Sequence, residues 1–295
     1  MFDLFVCTNE VNHTVVLAGE LQLRPRRALV LYDPVRCDRR RATRAWQLPF
    51  GPWVDRLIRL LGRLRLLRTA YVPHQRVNPR LMREVRRARA IAYIDDGLDT
   101  LRRQPLNFDL DALPLRRCDY LTFAEYSAFP PWLEAAFAPK PVCSLRELNA
   151  GGRKPLLDLQ GIEHLFVESP GLDAGALIAA LQIDPARALC VRHPVPHKRG
   201  SLPAQCRSVE GRTHDLDATL ASSSGRSLYF GATMSLVVAV LTGVARHNRV
   251  HVQLDAAQEA NLMLPGRREP LSLSGMSHRL WRVHAPADPI PEEQR

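Results

Sequence analysis

The chain has 295 residues, enough for two domains that each bury a core of their own. Its 46% hydrophobic and 24% charged content excludes a disordered or fibrous chain, and no run of about 18 apolar residues is present to span a bilayer. An excess of 41 basic over 30 acidic residues gives a net charge of +11, which favours anionic partners such as nucleic acid, an anionic membrane face or phosphorylated ligands.

Aromatic residues make up only 6% of the chain, and no aromatic-interleaved basic motif of the nucleic-acid-binding kind occurs. No nucleic acid is therefore expected as a partner. The start, MFDLFVCTNEVNH, lacks the basic and apolar regions of a signal peptide and predicts a cytoplasmic protein. The six cysteines lie far apart, with no C-x-x-C pair. In that setting they read as reduced, buried small side chains rather than as disulfides or a zinc site.

In the first half, Phe2–Cys7, Ala28–Tyr32, Ala70–Val72 and Ala90–Ile94 are short apolar runs that read as strands. Pro52–Leu67 and Pro79–Ala88 have helical spacing, and Tyr120–Phe123 and Pro141–Val142 can add outer strands. Strands alternating with helices predict right-handed βαβ units and a parallel sheet. A glycine-rich basic stretch at Asn149–Pro155 is the candidate linker. The expected domains are thus residues 1–150 and 151–295.

The second half resumes the alternation. His164–Val167, Ala188–Val191 and Ser227–Phe230 read as strands. Asp173–Gln182 reads as a helix capped by Asp173, and Thr233–Arg246 as a strongly apolar, buried helix. The tail Ala285–Arg295 is expected to be poorly ordered. The fold class is α/β, with two Rossmann-like domains whose parallel sheets face a central cleft. Ligands in such sheets bind beyond the carboxyl ends of the strands.

Four constellations stand at informative places. Asp95-Asp96-Gly97 follows the strand AIAYI. A carboxylate pair there can hold one pKa up for a general base, or one aspartate can simply cap a following helix at Leu98–Arg103. Arg192-His193-Pro194 follows ALCV. The histidine can neutralise or protonate a phosphate leaving group, or it is a surface residue of a proline-rich loop. His193 and His197 have the spacing of a metal pair, but Pro194 and Pro196 break the helix that such a pair needs. Gly231–Ser235 (GATMS) opens the apolar helix, either as an anion-binding helix start or with Thr233 as an ordinary cap. Trp53–Arg68 places Leu57, Ile58, Leu61 and Leu64 on one face and Arg56, Arg59 and Arg63 on another. It reads as a crossover helix with a solvated basic face, or as a helix lying on an anionic membrane.

Taken in order, YIDDG at Tyr93–Gly97, VRHP at Val191–Pro194 and GATMS at Gly231–Ser235 resemble the acidic-glycine, His-Pro and Ser/Thr motifs of the bacterial sialyltransferase superfamily, best the group called glycosyltransferase family 52. LFVESPG at Leu165–Gly171 is similar to the strand and loop that open that family's second domain. FVCTNEVNHTVV at Phe2–Val16 is similar to its opening strand and helix entry. Met234 departs from the pattern by separating the hydroxyl residues that the family sets side by side.

The resemblance implies a GT-B fold, with an acceptor and base domain followed by a CMP-donor domain. It implies inverting transfer of sialic acid, or a related ulosonic acid, from a CMP-activated donor to a glycan or glycolipid acceptor. The product would belong to bacterial surface polysaccharide or lipooligosaccharide. Asp96 is the implied base, oriented by Asp95, or the two roles are exchanged, and His193 offsets charge on the departing phosphate. Gly97, Ser169, Arg192, Pro194, Thr233 and Ser235 are the implied donor-binding set. No cofactor and no metal is expected. The enzyme would work in the cytoplasm, with peripheral contact at the inner membrane as an accompanying expectation. Three alternatives stay open: a CMP-Kdo-type transferase on the same fold, a non-catalytic nucleotide- or carbohydrate-binding relative, and a basic nucleic-acid-binding protein, which would show steeply salt-dependent DNA or RNA affinity.

Overall fold

The structure is a computed structural model. It describes residues 1–34, 37, 45–73, 79–95, 97–101, 118–125, 137–145, 154–169, 171–193, 199–200, 202–211, 213–264, 266–271, 273 and 278–285. The chain divides into two compact units, Met1–Gly151 and Gly152–Arg295. Each is a mixed α/β unit around a sheet of mostly parallel strands, compatible with a Rossmann-like fold.

In the first unit, β1 (Phe2–Cys7), β2 (Ala28–Tyr32), β3 (Trp46–Pro49), β4 (Leu67–Pro73), β5 (Ala90–Ile94), β6 (Cys118–Phe123) and β7 (Phe137–Cys143) form one sheet. Its order is β3-β2-β1-β4-β5-β6-β7, and every pairing in it is parallel. Strand β2, Ala-Leu-Val-Leu-Tyr, is buried at all five positions. Strands covered on both faces carry apolar side chains without alternation. Chain order reverses between β1 and β4, so the switch point lies at their carboxyl ends.

Among the described residues, three helices connect these strands. Helix α1 (Glu10–Leu23) starts where the Asn9 side chain accepts from the Asn12 amide at 2.9 Å, and stops at Arg24 in the left-handed region, φ 44°. Helix α2 (Pro52–Arg63) opens with proline at its first turn, which needs no amide hydrogen there. It buries Val54, Ile58 and Leu61 and stops four residues before the expected Leu67, because Arg65 turns left-handed at φ 53° and Leu67 already belongs to β4. Helix α3 (Pro79–Val85) packs against α2. A Cβ on Gly62 would sit 3.3 Å from the Glu84 carbonyl oxygen of α3, a tight contact that favours glycine there.

The second unit repeats the plan. Strands β8 (His164–Val167), β9 (Ala188–Arg192), β10 (Arg207–Glu210), β11 (Ser227–Phe230), β12 (Arg249–Leu254), β13 (Arg268–Leu271) and β14 (Arg279–Val283) take the order β10-β9-β8-β11-β12-β14-β13. The first five run parallel, and β14 and β13 close one edge antiparallel. The switch point is between β8 and β11. The connecting helices are α4 (Ala174–Ala180), α5 (Leu216–Ser222), α6 (Met234–Leu241), α7 (Val244–His247) and α8 (Ala256–Asn261). Asp173 caps α4 through the Ala176 amide at 3.0 Å, as its position before the apolar face predicts. The expected helix Thr233–Arg246 is two helices, because Gly243 at φ 86° breaks it. The tail expected from residue 285 onward lies outside the described residues beyond 285.

One face of the second sheet is a ring stack centred on Tyr229. Phe166 lies at 4.5 Å and His251 at 4.8 Å between centroids, and His164 Nδ1 is 3.2 Å from the Tyr229 hydroxyl. His251 is 8% exposed, and its Nδ1 has no hydrogen-bond partner among the described residues. Burial first, then the charges of Arg282, Arg249 and His164, lowers its pKa to about 4. The unfolded ring titrates near 6.5, so the unfolded chain binds the extra proton between these values. The stability that rests on the neutral ring is complete above about pH 6.5 and is lost as pH falls toward 4, at roughly 1.4 kcal/mol per unit. Urea unfolding should therefore show wild type losing on the order of 3 kcal/mol more than His251→Phe between pH 6.5 and 4. Parallel losses in the two proteins would contradict this account.

Candidate functional site

Because the strands in each unit run mostly parallel, the residues that follow the parallel ones collect at one edge. In the first unit that edge carries Asp95, one residue beyond β5 and fully buried. Its Oδ1 accepts from the Gly97 amide at 2.7 Å, and its Oδ2 accepts from the Thr122 hydroxyl of β6 at 2.8 Å. Its own amide donates to the Leu121 carbonyl at 2.9 Å. The carbonyl of Asp95 accepts from Asn12 Nδ2, and Asn12 Oδ1 accepts from the Thr8 hydroxyl at 2.8 Å. Asp95 thus ties the end of β5 to β6 and to the loop after β1. Gly97 follows at φ 70°, a left-handed turn that favours glycine, and opens a short 3-10 turn, Gly97–Leu101, rather than an α-helix. Asp96 lies outside the described residues.

In the second unit the corresponding edge is organised by a residue that the sequence reading passed over. Glu168 follows β8 directly and is 5% exposed. Its Oε2 accepts from the His193 amide at 2.8 Å, and its Oε1 from the Gly200 amide at 2.6 Å. Arg192 Nε stands 3.4 Å from the same carboxylate, and its Nη2 donates to the Gly200 carbonyl at 3.2 Å. The carbonyl of His193 accepts from Arg199 Nε at 2.7 Å, while Arg199 also pairs with Glu210 at 2.6 Å. The backbone of residue 193 is therefore held on both sides. The rule that singled out Asp95, an acid directly after an apolar strand, also describes Glu168.

Ser169 comes next and is buried. Its hydroxyl accepts from the Gly231 amide at 3.0 Å, joining the ends of β8 and β11 at the switch point. Beyond Gly231, Thr233 precedes α6 in extended backbone, and its side chain makes no capping hydrogen bond. Thr233 and Ser235 are partly exposed. The Thr233 carbonyl accepts from the Leu236 amide at 3.2 Å, and a helix start as a whole favours an anion. Pro194 and His197 lie outside the described residues.

Of the expected site residues, the structure brings Ser169, Arg192, His193, Thr233 and Ser235 to one edge, after the neighbouring strands β9, β8 and β11. Asp95 and Gly97 stand at the edge of the other unit. Arg192 is committed to Glu168 and Gly200. Burial raises the pKa of the Cys190 thiol, inside β9, to about 12. Among the described residues no group of three His, Cys, Asp or Glu lies together as a metal cluster. No protein-family model matches the sequence, and no curated protein matches it.

Glu168→Gln replaces one acceptor of a buried amide with a donor. It should cost about 1.5–3 kcal/mol, the range for a hydrogen bond to a charged group, and speed hydrogen exchange at the His193 and Gly200 amides. Asp95→Asn should cost a similar amount, and Thr122→Ala somewhat less. Melting curves unchanged in all three variants would contradict the structural roles given to these carboxylates.

Proposed function

We propose that the chain is an inverting, CMP-sugar-dependent glycosyltransferase of GT-B type that moves sialic acid, or a related ulosonic acid, to a glycan or glycolipid acceptor. The observation that carries this reading is the carboxyl edge of the second unit. A loop bearing His193 is fixed by a buried carboxylate, at the same edge as the start of α6, where Thr233 and Ser235 are partly exposed. That is a site for a single phosphate. A nucleoside monophosphate sugar presents one phosphate, and donors on a histidine and a helix start can stabilise it as it departs. The ordered YIDDG, VRHP and GATMS motifs supply the choice of CMP and of an ulosonic acid.

In this reading Asp96 takes the proton of the acceptor hydroxyl. The oxygen forms a bond to the anomeric carbon while the bond from that carbon to the phosphate oxygen breaks, its electron pair leaving with CMP. His193 offsets the growing charge on the phosphate and can supply a proton to it. Ser169, Thr233 and Ser235 are the hydroxyl donors nearest to this role, and Arg192 acts through the loop it shares with Glu168. The exchange of roles between the two aspartates weighs against Asp95, because both its carboxylate oxygens already accept hydrogen bonds inside the unit. Asp95 and Gly97 then position Asp96. The reaction is expected in the cytoplasm, where CMP-sugars are used.

Purified protein should hydrolyse or transfer from CMP-sialic acid, with release of CMP. His193→Ala and Asp96→Asn should each lower kcat by about 100-fold or more, the scale of a lost acid-base group, while leaving the melting curve unchanged. Turnover of CMP-Kdo instead would move the donor assignment. CMP binding without turnover of any CMP-sugar would make the chain a binding protein. Neither binding nor turnover would overturn the proposal.

A further inference from the structure

Helix α2 was expected to bury one face and solvate another, and it does more than that. Val54, Ile58 and Leu61 are buried against the unit. At about 100° per residue, Trp53, Leu57, Leu60 and Leu64 fall within an arc of about 60° that is separate from the buried one. Trp53 and Leu60 are each 53% exposed and Leu64 is 58% exposed. Leu64 therefore belongs to the outer stripe, not to the core face that the spacing predicted. Single exposed leucines need no explanation. A continuous stripe of four apolar side chains over three turns of an outward helix face does.

Beside that stripe runs a basic one, Arg56, Arg59 and Arg63, continued by Arg65 after the helix. Arg56, Arg63 and Arg65 are exposed and form no ion pair among the described residues, whereas Arg59 and Arg87 meet Glu84 at 3.9 and 3.0 Å. Arg63, Arg65 and Arg87 surround a shallow hollow of about 500 Å³ next to Gly62. Basic residues at a helix end also favour the helix dipole, which accounts for Arg63 and not for Arg56. The same end of the sheet carries Trp46, 69% exposed at the start of β3, and the arginines before β2, Arg26 and Arg27.

We infer that α2 seats the first unit on an anionic lipid bilayer. Trp53, Leu60 and Leu64 enter the boundary between headgroups and acyl chains, and Arg56, Arg63 and Arg65 meet lipid phosphates. An apolar stripe flanked by arginine on an outward helix face is the chemistry of such a boundary. A nucleic acid would use the arginines and leave the leucines without a role. No helix among the described residues is long and apolar enough to cross a membrane, so the contact is peripheral. The inference stands apart from the proposed reaction and does not require it.

The test is sedimentation of the full chain with vesicles of phosphatidylcholine alone and of phosphatidylcholine mixed with phosphatidylglycerol. Binding is expected only to the mixed vesicles and should weaken as salt is raised. The triple variants Trp53→Ser/Leu60→Gln/Leu64→Gln and Arg56→Gln/Arg63→Gln/Arg65→Gln should each lower the bound fraction at least tenfold. These side chains are exposed, so circular dichroism and melting should match wild type; a variant that melts early is replaced by its single substitutions. Tryptophan emission should shift to the blue on mixed vesicles, and Trp53→Phe should remove most of that shift. Wild type that stays in the supernatant, vesicle binding unchanged in the apolar variant, or tighter binding to single-stranded DNA than to the mixed vesicles would each overturn the inference.

Discussion

Each sheet carries a buried carboxylate one residue beyond the end of a strand, and that carboxylate accepts hydrogen bonds from the backbone of a loop at the same edge. Asp95 holds the Gly97 amide and the Thr122 hydroxyl, and Glu168 holds the amides of His193 and Gly200. A buried carboxylate without such donors would be costly. With them it becomes a rigid anchor, because moving either loop would leave a charge or an amide unpaired. The loops that bear Asp96 and His193 thus start from fixed points. In the proposed reaction, preorganisation of this kind would let donors act on a departing phosphate without first rearranging.

The division between anchor and reacting group also changes how an acidic pair is read. Two adjacent aspartates invite the idea of mutual repulsion and a raised pKa. Here the first is satisfied on both oxygens inside the unit, which fits the proposal that Asp95 supports Asp96 rather than sharing its role. Arg192 and His193 repeat the pattern in the second unit. The arginine turns inward to Glu168, and the histidine follows on a backbone secured by Glu168 and Arg199.

The strands that were legible in the sequence were those buried on both faces. ALVLY and AIAYI have no polar side chain to hide the run. Strand β12, RVHVQL, was missed because His251 and Gln253 alternate with its apolar residues, although both are buried. Helix α1 was visible only as a resemblance. Asn12, His13 and Thr14 are buried beside Val15 and Val16, so no polar stripe marks its outer face. Gly243 inside an apolar run was the sign of a break that the run itself concealed. The site was legible as positions and not as partnerships. Thr122 and Asn12 meet Asp95 across 27 and 83 residues of sequence, and Glu168 reaches His193 across 25. Only the sheet topology brings such residues together.

The proposed reaction places the phosphate of the donor at the carboxyl edge of the second sheet, where β8, β9 and β11 end. A crystal structure of the protein with CMP tests that claim most directly. The account predicts the phosphate within hydrogen-bond distance of the His193 side chain and of the first amides of α6 or the hydroxyls of Thr233 and Ser235. CMP bound at any other place, or a phosphate that touches neither His193 nor the start of α6, would contradict it.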